Sequence, residues 1–270
     1  MIATKKQKIG LGLYATVLLG LFYFPVVCIV LASLSTKRYF AFPYEDFTWK
    51  WYEGALSSPQ VAQFVGVSLR VAALTTVFSL IIGFFSALAY ARYSWRWRKG
   101  FQRLVMLPLF FPQSVLGLAL LMWFNFLGIT PSWWTAVIAH TVWISPITTL
   151  IMAIQAYSLD DSLEEAARDM GATRGQILRM ITLPLMSKGM VSAACFAVLL
   201  SWGNFALSLF TTGADSSLPE WLYARMTSGY QPIVPAVGAL SVLAAVIVLV
   251  VLFSALSWSA GKQTKAPAGH

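Results

Sequence analysis

Few residues in this chain are of a type that does chemistry, and their spacing matches no enzyme site. The two cysteines, Cys28 and Cys195, lie inside apolar runs and show neither zinc-site nor disulfide spacing. No G-x-x-x-x-G-K-S/T phosphate loop, G-x-S-x-G elbow or H-E-x-x-H metal motif occurs in the sequence. We therefore expect a chain that is not an enzyme, holds no metal and binds no cofactor of its own.

Two polar residues stand out because apolar residues surround them. His140 could serve as a proton relay, or it could join two helices through hydrogen bonds, as lone polar groups in membrane spans often do. Arg70 lies near the start of an apolar run, where we expect its charge to reach toward the membrane surface rather than bind a solute.

The composition is that of a membrane protein. Of 270 residues, 58% are hydrophobic and 11% are charged, whereas a soluble domain carries about 25% charged residues. The net charge of +9 does not indicate nucleic acid, because the basic residues form short clusters between apolar blocks. We expect the lipid bilayer as a partner and no nucleic acid.

Six apolar runs are long enough to cross a bilayer, whose hydrocarbon core of about 30 Å needs roughly 20 helical residues. The sequence therefore predicts an all-α, polytopic membrane protein with six transmembrane helices. The predicted spans are 11–34, 67–90, 104–126, 135–157, 190–210 and 234–258. The first is longer than the apolar core of a signal peptide, so we expect it to remain as a span. Residues expected to kink the spans or to pack closely are Pro25, Gly83, Pro108, Pro112, Gly117, Pro146 and Gly203.

Lysine and arginine are unevenly divided between the segments that connect the spans. One side of the membrane would carry fourteen of them and the other side four. Because cytoplasmic loops are enriched in these residues, the termini (1–10 and 261–270) and the loops after the second and fourth spans are predicted to be cytoplasmic. The fourteen are Lys5, Lys6, Lys8, Arg92, Arg96, Arg98, Lys99, Arg103, Arg168, Arg174, Arg179, Lys188, Lys262 and Lys265; the four are Lys37, Arg38, Lys50 and Arg225.

The segment 158–188, after the fourth span, has the sequence of two helices rather than of a loop. Ser162 and Glu165 form a capping-box pattern, which predicts a helix that starts at Leu163. Gly171 is the residue type that ends helices in a left-handed cap. The apolar residues of this helix that fall on one face are Leu163, Ala166, Ala167 and Met170.

A second helix is predicted immediately after this turn. Thr173 and Gln176 repeat the capping pattern, so residues 174–183 are expected to be helical. Pro184 is then expected to stop or kink the helix just before the fifth span.

The first of these two helices needs a partner for its apolar face. Small alanines allow close approach to a groove on another protein. The alternative is a helix that lies on the bilayer surface, but its acidic residues outnumber its single arginine and would be repelled by anionic lipid. The acidic residues are Asp160, Asp161, Glu164, Glu165 and Asp169.

The run at 165–184 reads E-A-A, three residues, G, nine residues, I-x-L-P. It resembles the EAA loop of type I ABC-transporter permeases. The resemblance implies the type I ABC importer permease fold over residues 60–260, with the coupling loop at 158–188 and one additional span at 11–34. It also implies that the first loop helix docks on a cytoplasmic dimer of ABC ATPases, which would bind the ATP and magnesium. The residues expected to carry this coupling are Glu165, Ala166, Ala167, Met170, Gly171, Ile181, Leu183 and Pro184.

Within that family the chain is most similar to the second permease of spermidine/putrescine-type importers, through segments 47–52, 89–93 and 218–222. This resemblance implies a bacterial inner (plasma) membrane, a heterodimer with a second homologous permease, and a periplasmic or extracellular solute-binding protein. The solute would then pass polar groups on spans three to five. The candidates are Gln113, Ser114, Asn125, Ser145, Ser201, Trp202 and Asn204.

The solute is expected to be small and polar, of the polyamine type. Yet no Asp or Glu lies in any predicted span, whereas polyamine-type relatives tend to carry acidic residues where this chain has Gln113 and Asn204. Opines, aminoethylphosphonate and other small zwitterions therefore stay open as solutes. A self-sufficient secondary transporter is the alternative from another class, although the spans lack the carboxylates and inverted repeats typical of such carriers.

Overall fold

The fold is helical throughout. The structure, a computed structural model, describes residues 5–37 and 46–263, with side chains described over 7–37 and 46–254. Among these residues the only β contact is a single bridge between Ser35 and Phe47, so the all-α fold class is confirmed. The helices are α1 (Lys5–Ser33), α2 (Lys50–Ser57), α3 (Pro59–Ala91), α4 (Arg98–Met106), α5 (Gln113–Phe126), α6 (Trp133–Tyr157), α7 (Asp161–Asp169), α8 (Arg174–Ile177), α9 (Leu183–Trp202), α10 (Phe205–Thr211), α11 (Leu218–Thr227) and α12 (Ile233–Gln263).

Five stretches of helix are each long and apolar enough to cross a membrane. They lie in α1, α3, α6, the run Arg174–Trp202, and α12. A sixth crossing exists only if the bent pair Arg98–Phe110 and Gln113–Phe126 counts as one broken span. The described residues therefore provide five continuous spans, or the predicted six when the bent pair is one span.

The third predicted span, 104–126, is not one helix. After α4 the chain forms a 3-10 turn at Leu107–Phe110 and bends by 103° before α5. Two prolines explain the break, because Pro108 and Pro112 lack the N–H donor that a helix needs. Phe111, just before the second proline, has the extended backbone that this position favours (φ −90°, ψ 137°). The third predicted span is thus a bent pair of helices, with the break at the prolines that were expected to kink it.

The fifth predicted span, 190–210, is also interrupted, between α9 and α10. The side-chain oxygen of Asn204 accepts a hydrogen bond of 3.0 Å from the Leu207 N–H and so caps α10. Asparagine is a favoured N-cap residue, because its side chain can bond an N–H at the start of a helix in place of a preceding carbonyl. The predicted single helix is corrected to two helices that meet at Gly203 and Asn204.

Contacts divide the described residues into two compact units. One comprises the residues up to Ala62 together with Leu222–Ala244, and the other comprises Gln63–Trp221 and the residues from Ala245 onward. In the first unit the most apolar stretch of α1 has no buried residue. A bare apolar helix of this length requires a lipid environment.

Within the first unit, α2 is attached to the end of α1 by hydrogen bonds. The hydroxyl groups of Ser33 and Tyr52 lie 2.6 Å apart. The indole N–H of Trp51 donates to the Ser35 carbonyl at 2.8 Å. These bonds hold the aromatic helix next to the point where α1 ends.

Within the second unit, α3 packs tightly on α6. A Cβ atom on Gly83 would lie 2.6 Å from Thr148 Oγ1 and 3.0 Å from the Thr149 nitrogen, so only glycine allows this approach. Thr148 in turn donates to the Ser79 carbonyl at 2.8 Å. Gly83 is thus a close-packing position inside a continuous helix and not a kink. The apolar core around it contains Phe84, Ala87, Leu88, Tyr90, Met152, Ala153, Ala156, Met186 and Ala193.

Candidate functional site

The helix α7 begins two residues earlier than predicted. Its N-cap is Asp160, whose carboxylate accepts a 3.0 Å hydrogen bond from the Ser162 N–H. This bond holds the pKa of the Asp160 carboxyl below its usual value. The prediction of Ser162 as the cap is wrong because Asp160 has the same capping ability and comes first in the chain. Asp161 and Glu164 then lie in the first turn, where the helix dipole favours negative charge.

The turn after α7 has the predicted left-handed glycine. Gly171 has φ +84°; its N–H donates to the Arg168 carbonyl at 2.9 Å, and the Ala172 N–H donates to the Ala167 carbonyl at 3.0 Å. These two bonds define a Schellman motif, which satisfies the last carbonyls of the helix. No atom lies within 4 Å of a Cβ built on Gly171. The backbone conformation, and not crowding, therefore favours glycine.

The predicted capping box of the second loop helix is present, but the helix has a different course. Thr173 N–H donates to Gln176 Oε1 at 2.8 Å, and Gln176 N–H donates to Thr173 Oγ1 at 3.4 Å. The helix α8 passes after one turn into a π-helical segment, Leu178–Thr182, which leads directly into α9. The wider π turn leaves room for the ring of Pro184, which would clash with a carbonyl of a regular helix. Pro184 therefore neither stops the chain's helical path nor separates the loop from α9.

A polar network, largely buried except for Asp161, fixes α7 to its neighbours. We call it the Arg92 network (Arg92, Asp161, Glu164 and Thr182). The Arg92 guanidinium forms ion pairs with Asp161 and, at 3.3 Å, with Glu164 Oε1, and it donates to the Leu159 carbonyl at 2.9 Å. Thr182 Oγ1 donates to the same Glu164 oxygen at 2.8 Å. A cavity of about 620 Å³ opens beside this network.

The face of α7 that carries the apolar residues is largely uncovered by the residues that the structure describes. Leu163 is 48% exposed and Met170 is 82% exposed, whereas Ala167 is buried against the protein. Of the other predicted coupling residues, Glu165 and Ala166 are exposed, Leu183 is exposed, and Ile181 and Pro184 are half-buried. The loop helix thus presents apolar side chains outward at one end of the second unit.

His140 joins helices through both of its ring nitrogens. Nδ1 lies 2.9 Å from Ser201 Oγ on α9, and Nε2 lies 3.1 Å from Ser208 Oγ on α10. The residue is 1% exposed. Its interpretation as a hydrogen-bonded link between helices is confirmed. Arg70 lies on the exposed part of α3 with its guanidinium 5.7 Å from the centre of the Trp133 ring.

The predicted pathway residues do not form one group. Ser201, Trp202 and Asn204 line a narrow cleft together with His140. On α5, Gln113 is half-buried, while Ser114 and Asn125 are exposed, and none of the three reaches that cleft. Ser145 is half-buried on α6, where its carbonyl accepts from two threonines. Among the described residues no group of three or more His, Cys, Asp or Glu side chains could hold a metal ion.

None of the four members of the Arg92 network is among the site residues predicted from the sequence. The sequence indicates Arg92 only as a cytoplasmic cation and as part of the segment 89–93. Thr182 occupies the variable position of I-x-L-P. One signal was available: Glu164 and Arg168 are four residues apart and face each other at 3.4 Å. The bond from Thr182 depends on the π turn, which no sequence pattern indicated.

Residues 79–261 match the family described as binding-protein-dependent transport system inner membrane component. The chain belongs to this family. It is accordingly a multi-pass inner-membrane permease subunit of an ABC importer, a transport subunit rather than an enzyme. The recognition from the EAA-like run is confirmed.

Curated relatives resemble this permease along most of its length. The spermidine/putrescine transport system permease protein PotC of Escherichia coli (strain K12) is 27% identical over 240 residues, covering 88% of this chain and 90% of the relative. PotC of Haemophilus influenzae is 26% identical over 229 residues, with 84% and 89% covered. The putrescine transport system permease protein PotI of Escherichia coli (strain K12) is 27% identical over 226 residues, with 81% and 80% covered.

Solved structures share the fold of this permease. A bacterial ABC transporter involved in the import of the acidic polysaccharide alginate has a chain with a TM-score of 0.69 at 21% identity, covering 94% of this chain and 99% of that one. The MetNI methionine ABC transporter in inward-facing conformations gives a TM-score of 0.66 at 20% identity, with 75% and 99% covered. At these identities the likeness concerns the fold alone.

Proposed function

We propose that this permease forms the pathway of an ATP-driven importer for a small polar solute of the polyamine type, and that α7 is its coupling helix. The α7 helix would dock on a cytoplasmic dimer of ABC ATPases. The second half of the pathway would come from a second homologous permease, and the solute from a periplasmic or extracellular binding protein.

The single observation that carries the coupling role is the build of α7. It is a short helix, capped at both ends by hydrogen bonds, with Leu163 and Met170 uncovered by the rest of the chain. An amphipathic helix that exposes apolar side chains fits a groove on a partner protein. Its acidic first turn disfavours the alternative of binding to anionic lipid.

The proposed mechanism uses no bond-making chemistry in this chain. ATP and magnesium would be bound by the ATPase subunits, and closure of the ATPase dimer would move α7. Because α7 is continuous through short turns with α6 and with the run that leads into α9, both helices would follow. The pathway would then change from inward-facing to outward-facing, and hydrolysis would reset it.

The proposed orientation follows from the charged residues, since fourteen lysines and arginines would lie on the side of α7 and four on the other. Both termini would then be cytoplasmic. A cysteine introduced at Arg96 should react with a membrane-impermeant maleimide only in inside-out vesicles. Reaction in intact spheroplasts would contradict this orientation.

Replacement of Met170 by glutamate tests the coupling role. A charge on the exposed apolar face should lower retention of the cognate ABC ATPase during purification by about tenfold or more, because interface anchors in desolvated pockets carry most of the binding energy. Met226→Glu is the matched control, since Met226 is 63% exposed and would lie on the other side of the membrane. If Met170→Glu retained both the ATPase and solute uptake, α7 would not be the coupling helix.

The solute is tested by uptake into proteoliposomes that contain both permeases, the ATPase and the binding protein. We expect ATP-dependent uptake of radiolabelled spermidine or putrescine. Uptake of aminoethylphosphonate or an opine instead would support the zwitterion alternative, which the lack of acidic residues in the predicted spans favours. Uptake by this chain alone without nucleotide would refute the importer role and identify a secondary transporter.

A further inference from the structure

The Arg92 network points to a third membrane helix that moves with α7. We propose that Arg92 is a positioning residue that fixes the end of α3 to α7, so that α3 follows the coupling helix together with α6 and α9. This inference rests on the proposed function of α7 as the coupling helix. The chain connectivity alone would transmit movement only to α6 and α9.

On the side of α3, the attachment is rigid. Arg92 directly follows the last residue of α3, and its N–H still donates to the Leu88 carbonyl at 3.0 Å, as in a continuing helix. Its side chain is only 9% exposed. A buried arginine with both terminal nitrogens engaged has little freedom to change rotamer, so the guanidinium moves with the axis of α3.

On the side of α7, the guanidinium contacts the start of the helix at three points. It reaches the Leu159 carbonyl before the helix, Asp161 at its first residue and Glu164 one turn later. The planar fork of arginine can serve several acceptors at once, which a lysine ammonium on a single flexible stem does not reproduce. The contacts therefore fix the direction of α7 as well as its position.

Glu164 extends the attachment to the run that leads into α9. Its Oε1 atom accepts from both Arg92 and Thr182, and its side chain is only 15% exposed. Thr182 is the last residue of the π segment, and π turns are frequent at functional positions. The Glu164 carboxylate on α7 thus contacts both the residue that follows α3 and the residue that precedes α9.

The network predicts that removing Arg92 disconnects α3 from α7 without detaching the ATPase. The docking residues Leu163 and Met170 lie on the face of α7 that is exposed, away from the guanidinium. Loss of Arg92 would remove its contacts to Asp161 and Glu164 but would not leave a buried charge alone, because Asp161 is 78% exposed and Glu164 keeps Arg168 and Thr182 as partners. Movement of α7 would then be taken up in the loop instead of being transmitted to α3.

Spin labels on the complete complex in nanodiscs test this inference. One pair joins Phe85, exposed on α3, to Asp169, exposed on α7; a second pair joins Asp169 to the ATPase; Cys28 and Cys195 are replaced by serine. With wild-type Arg92 we expect the first distance to be the same with ADP and with ATP plus vanadate, while the second distance changes. With Arg92→Gln the first distance should become nucleotide-dependent.

Matched variants keep the result interpretable. Arg96→Gln removes an exposed arginine from the same loop and should leave the first distance constant. Arg92→Lys keeps the charge but not the planar fork, so its first distance should vary with nucleotide less than that of Arg92→Gln. It also serves as the test variant if Arg92→Gln does not assemble. A first distance that stays constant in Arg92→Gln, or in Arg92→Lys if Arg92→Gln does not assemble, would overturn the inference, and so would a first distance that changes with nucleotide in the wild-type protein. A second distance that never changes would refute the coupling role of α7 itself.

Discussion

One methyl group added at Gly171 should destabilise the turn after α7, whereas the same group added four residues later at Gly175 should not. Gly171 has φ +84°, and an L-residue pays roughly 1–2 kcal/mol to adopt such a backbone. No atom lies within 4 Å of the added carbon at either position, so crowding contributes to neither value. Gly175 lies in α8, where alanine is favoured over glycine by up to about 1 kcal/mol. The two variants should therefore differ by about 1–3 kcal/mol.

Hydrogen exchange of the purified permease measures this difference locally. The Ala172 N–H is held by the Ala167 carbonyl and exchanges only when the Schellman turn opens. A cost of 1–2 kcal/mol corresponds to exchange that is about 5- to 30-fold faster, since 1.4 kcal/mol is tenfold in an equilibrium constant. In Gly171→Ala the amide should exchange faster by this factor, and in Gly175→Ala it should exchange at the wild-type rate or more slowly.

A third variant tests whether the faster exchange comes from the left-handed backbone of Gly171 or from any replacement of this glycine. Asparagine tolerates the left-handed region better than alanine does, so Gly171→Asn should show a smaller increase than Gly171→Ala despite its larger side chain. Equal exchange in wild type and Gly171→Ala, or a larger effect of asparagine than of alanine, would refute the argument from the φ angle.

Two further substitutions test the packing of the second unit. Gly83→Leu should abolish stable insertion or lower the melting temperature of the permease by several degrees, because even a Cβ would lie 2.6 Å from Thr148 Oγ1. Gly20→Leu should have neither effect, because the space around Gly20 is open. Equal behaviour of the two variants would contradict the close packing of α3 on α6. His140→Phe should cost about 1–3 kcal/mol of stability, because the buried hydroxyl of Ser201 loses its bond to the ring while Ser208 Oγ keeps its bond to the Asn204 carbonyl. Thermal unfolding in detergent measures the loss, and an unchanged melting temperature would show that the link is not stabilising.

The sequence was most informative where one residue type determines the local backbone. The left-handed cap at Gly171 and the capping box of Thr173 with Gln176 were predicted and are present. Such features depend on contacts within three or four residues, which a single sequence contains. The helical class and the apolar runs were readable for the same reason, because composition and periodicity are local properties.

The sequence was least informative where helices break inside the membrane. Hydropathy over 104–126 and 190–210 is continuous, so it hides the bend near Pro112 and the interruption at Asn204. Pro112 and Asn204 are each a residue type that can break a helix. Such residues are also tolerated inside spans when neighbouring groups bond the free backbone polar groups. Deciding between a kinked and a broken helix requires the tertiary contacts. Ser162 was mistaken for the cap of α7 because Asp160, two residues earlier, satisfies the same rule.

The Arg92 network was out of reach for a different reason. Its members come from three places far apart in the chain, since Arg92 lies 67 residues before the carbonyl that it reaches. No helical or strand period relates such positions, and an arginine in a loop has an equally good explanation as a cytoplasmic charge. Arg92 is thus counted among the cytoplasmic charges from the sequence alone. Only the distances in the structure show that the same residue also holds α7.

The polar groups of the second unit also bear on where the solute is recognised. His140 and Ser201 already bond to each other, and Asn204 already caps α10. All three residues are buried. A solute that used these groups would have to replace hydrogen bonds already made, and it would gain little by doing so. Recognition by this permease would then fall to half-buried or exposed residues such as Trp202 and Gln113, or to its partners. The helix α7 has an exposed apolar face, and a polar network attaches it to the end of α3 and to the run that leads into α9. This arrangement suits the transmission of motion that we propose for α7 better than the selection of a solute.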